Sequence, residues 1–359
     1  MKKAIVAVPF LKGTGGTETV IKNFAQALDV KDTKADISWK LISFGGSNNS
    51  EWMNGWNKQV YNFSNLRYVQ LVAYAGLMPV LIARILKREK PDFFISTNPI
   101  IWSLAYKFRK SISPKTKIIA WYHYSFKMKK VKLKYLKMTD KFWAISSGIK
   151  DELTSMGVSR SKTDVIYNPI NVNNVKIINR SRKQNHFIYI GRIDYDGQKN
   201  VSELIKALNK VNGQWKCDFY GTIDKSTKEK LQELALNKVN SYISFCGFYK
   251  NVWSNIKEAD VLILTSKFEG LPMVLMEAIS RGIPIITSNC PTGTKDIVNK
   301  DNGWLYQMGE IDQLASLLNS VILNKVQLPT TNDVKQSAHL FSYGNYKIRV
   351  LKSLNEPIF

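Results

Sequence analysis

The chain has 359 residues, 44% of them hydrophobic and 22% charged, which excludes a disordered polymer and supplies apolar material for two cores rather than one. Three cysteines, Cys217, Cys246 and Cys290, are too few and too scattered for a disulfide framework or a zinc site. The net charge of +24 is concentrated at the front: residues 1–180 hold 30 Lys and Arg against 11 Asp and Glu, residues 181–359 hold 22 against 17. A basic half of this kind calls for a polyanionic partner, either nucleic acid or an anionic membrane surface.

In chain order, residues 2–10 (KKAIVAVPF) predict a buried strand, with no extended apolar leader segment, so a cytoplasmic location is expected. The turn Gly13-Thr14-Gly15-Gly16 follows, then an amphipathic helix over Thr17–Leu28. Glycine spacing departs from the dinucleotide fingerprint, and the second strand, Trp39–Phe44, ends without a ribose-binding acid, which argues against NAD. Residues 68–83 form an uncharged run broken by Gly76 and Pro79. It is shorter than the roughly 20 residues a spanning helix needs, so it reads as a core or interfacial helix before the strand Phe93–Ser96.

Ile118–Trp121 predicts another strand, and it places His123 at the carboxyl edge of the sheet between aromatic neighbours. Directly after it, Lys127, Lys130, Lys134, Lys137 and Lys141 are spaced three and four apart. On a helix they would make one basic stripe facing an anionic membrane surface. No nucleic-acid-binding motif accompanies the charge. The Asn-rich segment from Asn168-Pro169 to Gln184-Asn185 reads as an interdomain linker. After it the α/β rhythm restarts with strand Phe187–Ile190, helix Val201–Val211 and strand Lys216–Tyr220. Phe341–Leu354 predicts a terminal amphipathic helix.

Chemistry concentrates in residues 260–306. The apolar run Val261–Leu264 is a buried strand, Ser266-Lys267-Phe268-Glu269-Gly270-Leu271-Pro272 a loop, Met273–Arg281 a helix stopped by Gly282, and Ile283–Thr287 a second strand. In a strand–loop–helix–strand unit the loop lies at the carboxyl end of a parallel sheet, where ligands bind in open α/β folds. The helix start, with backbone N–H groups from Gly270 to Val274, favours a phosphate. Glu269 and Glu277 are poor phosphate ligands and suit hydroxyls. A ligand with both features is a nucleotide sugar.

The string FEGLPMVLMEA resembles the paired-glutamate motif of the retaining family-4 glycosyltransferases. The resemblance implies an α/β GT-B architecture, with two Rossmann-like domains facing across a cleft and a C-terminal helix crossing back to the first. Residues 1–170 with 341–359 would form the acceptor-side domain, and 171–340 the nucleotide-sugar domain. It further implies a retaining, metal-independent hexosyltransferase of the EC 2.4 class, similar to bacterial galactosyl- and N-acetylglucosaminyltransferases of surface polysaccharides. The donor would be a UDP-sugar and no cofactor is expected. The acceptor would be a glycan, lipid-linked or a cell-wall polysaccharide or teichoic acid. The enzyme would be cytoplasmic and peripheral at the inner face of the cell membrane, without a nucleic-acid partner.

By the same resemblance, Arg192 and Lys199 in GRIDYDGQKN stabilise the leaving diphosphate, Glu269 orients the sugar, Glu277 holds the ribose, and His123 meets the sugar. Gly15 and Gly16 leave room at the phosphates, Gly270, Leu271, Pro272, Met273 and Val274 cradle the donor, and Tyr220, Gly221 and Phe248 pack its base. Asp194-Tyr195-Asp196 is formally a D-x-D metal signature, but it lies inside the Arg/Lys loop without further ligands and reads as turn chemistry. The alternatives are a sugar-nucleotide epimerase on the same fold and a non-catalytic basic protein that binds membrane or nucleic acid.

Overall fold

The computed structural model describes residues 1–13, 15–32, 35–63, 67–182 and 184–356, with residues 67–75 as backbone only. Thr14 and the side chains of the first part of the 68–83 run lie outside the described residues. The chain divides into two compact units, Met1–Pro169 with the residues from Tyr343 on, and Ile170–Ser342.

The first unit is a seven-stranded parallel sheet: β1 (Lys2–Val8), β2 (Ile37–Phe44), β3 (Asn57–Tyr61), β4 (Phe93–Ser96), β5 (Lys117–Ala120), β6 (Lys141–Ala144) and β7 (Thr163–Val165), in the spatial order β3-β2-β1-β4-β5-β6-β7. Its helices include α1 (Gly16–Ala27), α2 (Arg67–Glu89), α3 (Pro99–Ile112), α4 (Leu133–Leu136) and α5 (Ser147–Ser155). Central strands buried on both faces need near-continuous apolar runs, and β4 (FFIS) and β5 (KIIA) meet that demand. Asn98 caps α3 by accepting the Ile100 and Ile101 N–H groups. Arg67–Glu89 is one helix with Pro79 inside it, burying Met78, Ile82, Ile85 and Leu86. Among the described residues no helix is long and apolar enough to cross a membrane.

The terminal helix, Tyr343–Asn355, packs on this unit: Tyr346 meets Phe24 edge-on at 5.9 Å, and the Trp143 indole donates to Ser353 Oγ at 2.8 Å.

The second unit repeats the plan with six parallel strands: β8 (Asn185–Ile190), β9 (Trp215–Tyr220), β10 (Ile243–Gly247), β11 (Val261–Leu264), β12 (Ile285–Ser288) and β13 (Gly303–Tyr306), ordered β10-β9-β8-β11-β12-β13. Its helices include α6 (Val201–Leu208), α7 (Lys225–Leu234), α8 (Asn237–Asn240) and α9 (Met273–Ser280). In each sheet the strand order turns outward from the first strand. The topological switch points therefore fall between β1 and β4 and between β8 and β11, where open α/β sheets accept ligands.

Two expectations are corrected. The segment 168–185 is not a free linker. Ile170, Val172 and Ile178 are buried in the second unit, Ile178 N–H donates to Arg281 O at 3.1 Å, and the Arg180 guanidinium reaches Asp260 O and Pro329 O. Its polarity disguised an apolar residue at intervals that suit an irregular, packed strap.

The lysine stripe does not form either. Of its five members only Lys134 lies in a helix, the four-residue α4; Lys127 and Lys130 sit in a turn, and Lys137 caps α4. Lys141 opens β6 and is 3% exposed, its Nζ 2.8 Å from both Asp164 Oδ2 and Ser353 O, so it cannot face a membrane. A buried strand took a lysine that helical spacing had claimed.

Candidate active site

In the second unit, the loop from β8 to α6 (residues 191–200) and the loop from β11 to α9 (residues 265–272) leave the sheet on either side of its switch point. The first is shaped by its own acids. The Asp194 carboxylate accepts the N–H groups of Lys199 at 3.1 Å and Asn200 at 3.0 Å, and Asp196 accepts the Ser202 hydroxyl. The D-x-D carboxylates thus close a turn.

Asn200 caps α6 in the left-handed region, φ 51°, a conformation Asn tolerates better than most residues. Its side chain is fixed by buried Glu203, which accepts Asn200 Nδ2 at 2.6 Å, the Tyr306 hydroxyl at 2.7 Å and Gly309 N–H at 3.3 Å. Lys199 is thereby held from its N–H by Asp194 and from its C=O by the Thr265 hydroxyl, at 3.0 Å.

The two loops are laced together. Lys267 N–H donates to Gln198 O at 2.8 Å, Gln198 Nε2 to Phe268 O at 3.1 Å, and Lys267 Nζ to Asp196 O at 2.7 Å. At the end of this seam the Lys199 ammonium meets Glu269 Oε1 at 2.6 Å, with both side chains largely buried. An ammonium has three donors and a carboxylate two oxygens. One contact between them leaves Lys199 able to donate to phosphate oxygens and Glu269 able to accept from a hydroxyl. From below, Thr292 donates its hydroxyl to Glu269 O, and Gly293, at φ +82°, lies so near that a Cβ there would sit 2.5 Å from Gly270 O. The Pro291-Thr292-Gly293 turn is a floor for the glutamate loop.

α9 begins at Met273 with no side-chain cap, as an anion-accepting helix start requires. Glu277 lies further along α9. Burial pushes its carboxyl upward from the ordinary value, opposed by the Trp253 indole N–H, which donates to Oε2 at 2.8 Å. The Arg281 guanidinium lies over the Trp253 ring, 4.5 Å from its centroid. Arg192, by contrast, has an exposed side chain whose guanidinium lies 3.4 Å from Asp194, while its carbonyl accepts the Tyr189 hydroxyl at 2.8 Å. Tyr220 and Gly221 end β9, Tyr220 buried and its hydroxyl 3.4 Å from Asp218, while Phe248, just past β10, is exposed. Gly221 passes close under the β8 loop, and a Cβ on it would fall 1.7 Å from Gly191 O.

The remaining predicted residues belong to the first unit. Gly15 and Gly16 begin α1 after β1. Among the described residues, nothing lies within 4 Å of where a Cβ on Gly16 would sit. Glu18, buried, accepts Gly13 N–H at 2.7 Å and ties the turn to the helix. Sequence reading passed over it, although an acid three residues beyond the cap was a signal for such reaching back. His123 follows β5 with its ring tilted at 57° against Trp121, centroids 4.5 Å apart; neither ring nitrogen has a hydrogen-bond partner among the described residues. Burial lowers its pKa to about 3, so the ring is neutral at pH 7 and offers one donor and one acceptor. Asn200, Glu203, Tyr306, Trp253 and Thr265 were also missed as supports, whereas Asp194 takes the turn role read from the sequence. Tyr306 is remote in sequence from the residues it serves, and only the fold makes the association.

Two parallel Rossmann-like sheets, one carrying this paired-loop site, make up a GT-B architecture. Family models agree over both halves, "Glycosyltransferase Family 4" over residues 14–174 and "Glycosyl transferases group 1" over residues 173–340. The lipopolysaccharide 1,6-galactosyltransferase of Escherichia coli strain K12 is 32% identical over 328 residues, 89% of this chain and 88% of the relative. That of Salmonella typhimurium is 32% identical over 327 residues, covering 88% and 89%. The lipopolysaccharide outer core galactosyltransferase WaaB, in its apo form, superposes with a TM-score of 0.84 at 30% identity, over 98% of this chain and 99% of that one. HepE of Anabaena, solved with UDP, shares the fold with a TM-score of 0.78 at 16% identity, over 99% of each chain. The chain belongs to the family-4, group 1 glycosyltransferases, in the company of enzymes of lipopolysaccharide and polysaccharide synthesis.

Proposed function

We propose that the protein transfers a hexosyl group from a UDP-hexose to a hydroxyl of a glycan acceptor, lipid-linked or part of a surface polysaccharide, with retention of anomeric configuration. It would work at the inner face of the cell membrane. The observation that carries this reading is the Lys199–Glu269 contact at 2.6 Å at the switch point of the second sheet, a cation suited to phosphate beside a carboxylate suited to hydroxyls. The relatives' names, lipopolysaccharide 1,6-galactosyltransferase, support a hexose, and galactose first among them.

The donor would lie with its diphosphate at Lys199, Arg192 and the start of α9, its sugar hydroxyl on Glu269 and its ribose on Glu277. The two cations supply the positive charge that a divalent ion would otherwise bring to the departing UDP. The acceptor hydroxyl oxygen bonds to C1 on the face that the diphosphate leaves, and its proton passes to the departing phosphate oxygen. The first unit is assigned the acceptor, Gly15 and Gly16 the space near the phosphates, and His123, as a neutral ring, the sugar.

The test is turnover of a panel of UDP- and GDP-sugars without divalent metal, with and without a membrane extract. Nucleoside diphosphate should appear from one UDP-hexose, stimulated by the extract, with an unchanged anomeric configuration in the product. Turnover of a GDP-sugar alone, or an inverted product, would overturn the corresponding part of the reading.

A further inference from the structure

We infer that the first unit carries a binding surface for anionic phospholipid headgroups where α3 meets the 124–138 segment. The inference rests on the proposed membrane location and says which surface makes the contact. Although the helical lysine stripe is absent, the fold assembles a different patch. Ile100, Leu104 and Lys107 of α3 face Lys134, Tyr135 and Met138 across a shallow cavity of about 160 Å³. The Trp102 indole donates to Tyr135 O at 3.0 Å and pins the two segments together.

The cations here are not neutralised from within. Residues 107–150 contain one acid, Asp140, and Arg109 takes it, with Nη2 2.7 Å from Oδ1. The next acids along the chain are also spent: Asp151 on Arg160 at 2.9 Å, and buried Glu152 on the Ser125 hydroxyl and Phe126 N–H. Lys107 and Lys134 are exposed and make no ion pair among the described residues.

Aliphatic side chains decide between polyanions. Ile100, on the cavity with Lys107 and Lys134, is 48% exposed; Leu133, between Lys132 and Lys134 in the chain, is 56% exposed, and Met128, between Lys127 and Lys129, 47%. A soluble polyanion or a nucleic acid gains nothing from exposed Ile and Leu. A bilayer gains from both features, apolar groups entering the headgroup region and lysines meeting phosphates. Stacking of nucleobases is further disfavoured because the one exposed aromatic here, Tyr124, is already covered by Lys129 Nζ at 3.7 Å from its ring centroid.

Co-sedimentation with phosphatidylcholine vesicles, with and without phosphatidylglycerol, tests this. The full chain should bind only the anionic vesicles, and Lys107→Glu with Lys134→Glu should weaken that binding by ~30-fold or more. Ile100→Ser with Leu133→Ser should weaken it too and make the remainder more salt-sensitive. Lys225→Glu with Lys238→Glu, two exposed lysines of the second unit, should leave it unchanged. Equal binding by wild type and the Lys107/Lys134 variant overturns the assignment. So does tight binding of soluble polyphosphate that the Ile100/Leu133 variant retains in full, which would make the surface a polyanion site. UDP binding by each variant reports the donor site separately: its failure in the wild type would count against the transferase reading and leave the lipid result standing.

Discussion

Glu269→Gln is expected to lower the rate of glycosyl transfer by about 10²-fold with little change in melting temperature. The amide has nearly the shape of the carboxylate and can still lie beside Lys199, 2.6 Å away in the native pair, so the seam between the loops survives. What is lost is the charged acceptor that the proposed function assigns to a sugar hydroxyl. Lys199→Met should cost more, ~10³-fold in rate, and in addition about 3 kcal/mol of stability, because it strands a largely buried carboxylate without its cation. The double variant should cost less than the sum of the two, as expected for groups that act as a unit. Steady-state rates and thermal melts of the three proteins check this. Additive losses would mean that the contact has no part in the reaction.

The second large effect is structural and separates two glycines that look alike in sequence. Gly221→Ala places a Cβ 1.7 Å from Gly191 O, a clash between two backbones that no side-chain rotation relieves. A loss of roughly 3 kcal/mol is expected, seen as a melting temperature lowered by about 6–12 °C. Gly16→Ala meets nothing within 4 Å among the described residues and should melt like the wild type. If its activity nonetheless falls, the space beside Gly16 belongs to a ligand. Calorimetric melts paired with turnover of the two variants give the answer, and a Gly16→Ala protein as destabilised as Gly221→Ala would remove that argument.

The central strands were legible because parallel strands buried on both faces must be apolar throughout: Val261–Leu264 and Phe93–Ser96 agree to the residue. The edge strand Asn57–Tyr61 was not, because NKQVY is half-exposed and pairs on one side only. Motif residues in the second unit were legible for a related reason. A loop at a switch point must combine glycines, a cation and carboxylates within a few positions, and that density shows in a linear reading. Their supports were not. Glu203 and Tyr306, or Glu277 and Trp253, meet through strand order alone, and nothing near Trp253 in sequence announces a carboxylate partner.

The lysines mark the opposite error. Spacing of three and four suggested a helix, but β6 needs Lys141 under the terminal helix, where its ammonium satisfies Ser353 O and Asp164. Local periodicity lost to tertiary burial. The charge that motivated the reading did not vanish; it moved to a surface shared with α3, which no window of a few residues contains.

The proposed function requires that the second unit's paired loops hold a nucleoside diphosphate without help from metal. Calorimetric titration of UDP into the metal-free protein tests it most directly, with Glu277→Gln alongside. Binding by the wild type is expected, weakened about tenfold in Glu277→Gln through loss of the charged hydrogen-bond acceptor assigned to the ribose. No binding of UDP by the wild type, or equal binding by both proteins, would contradict it.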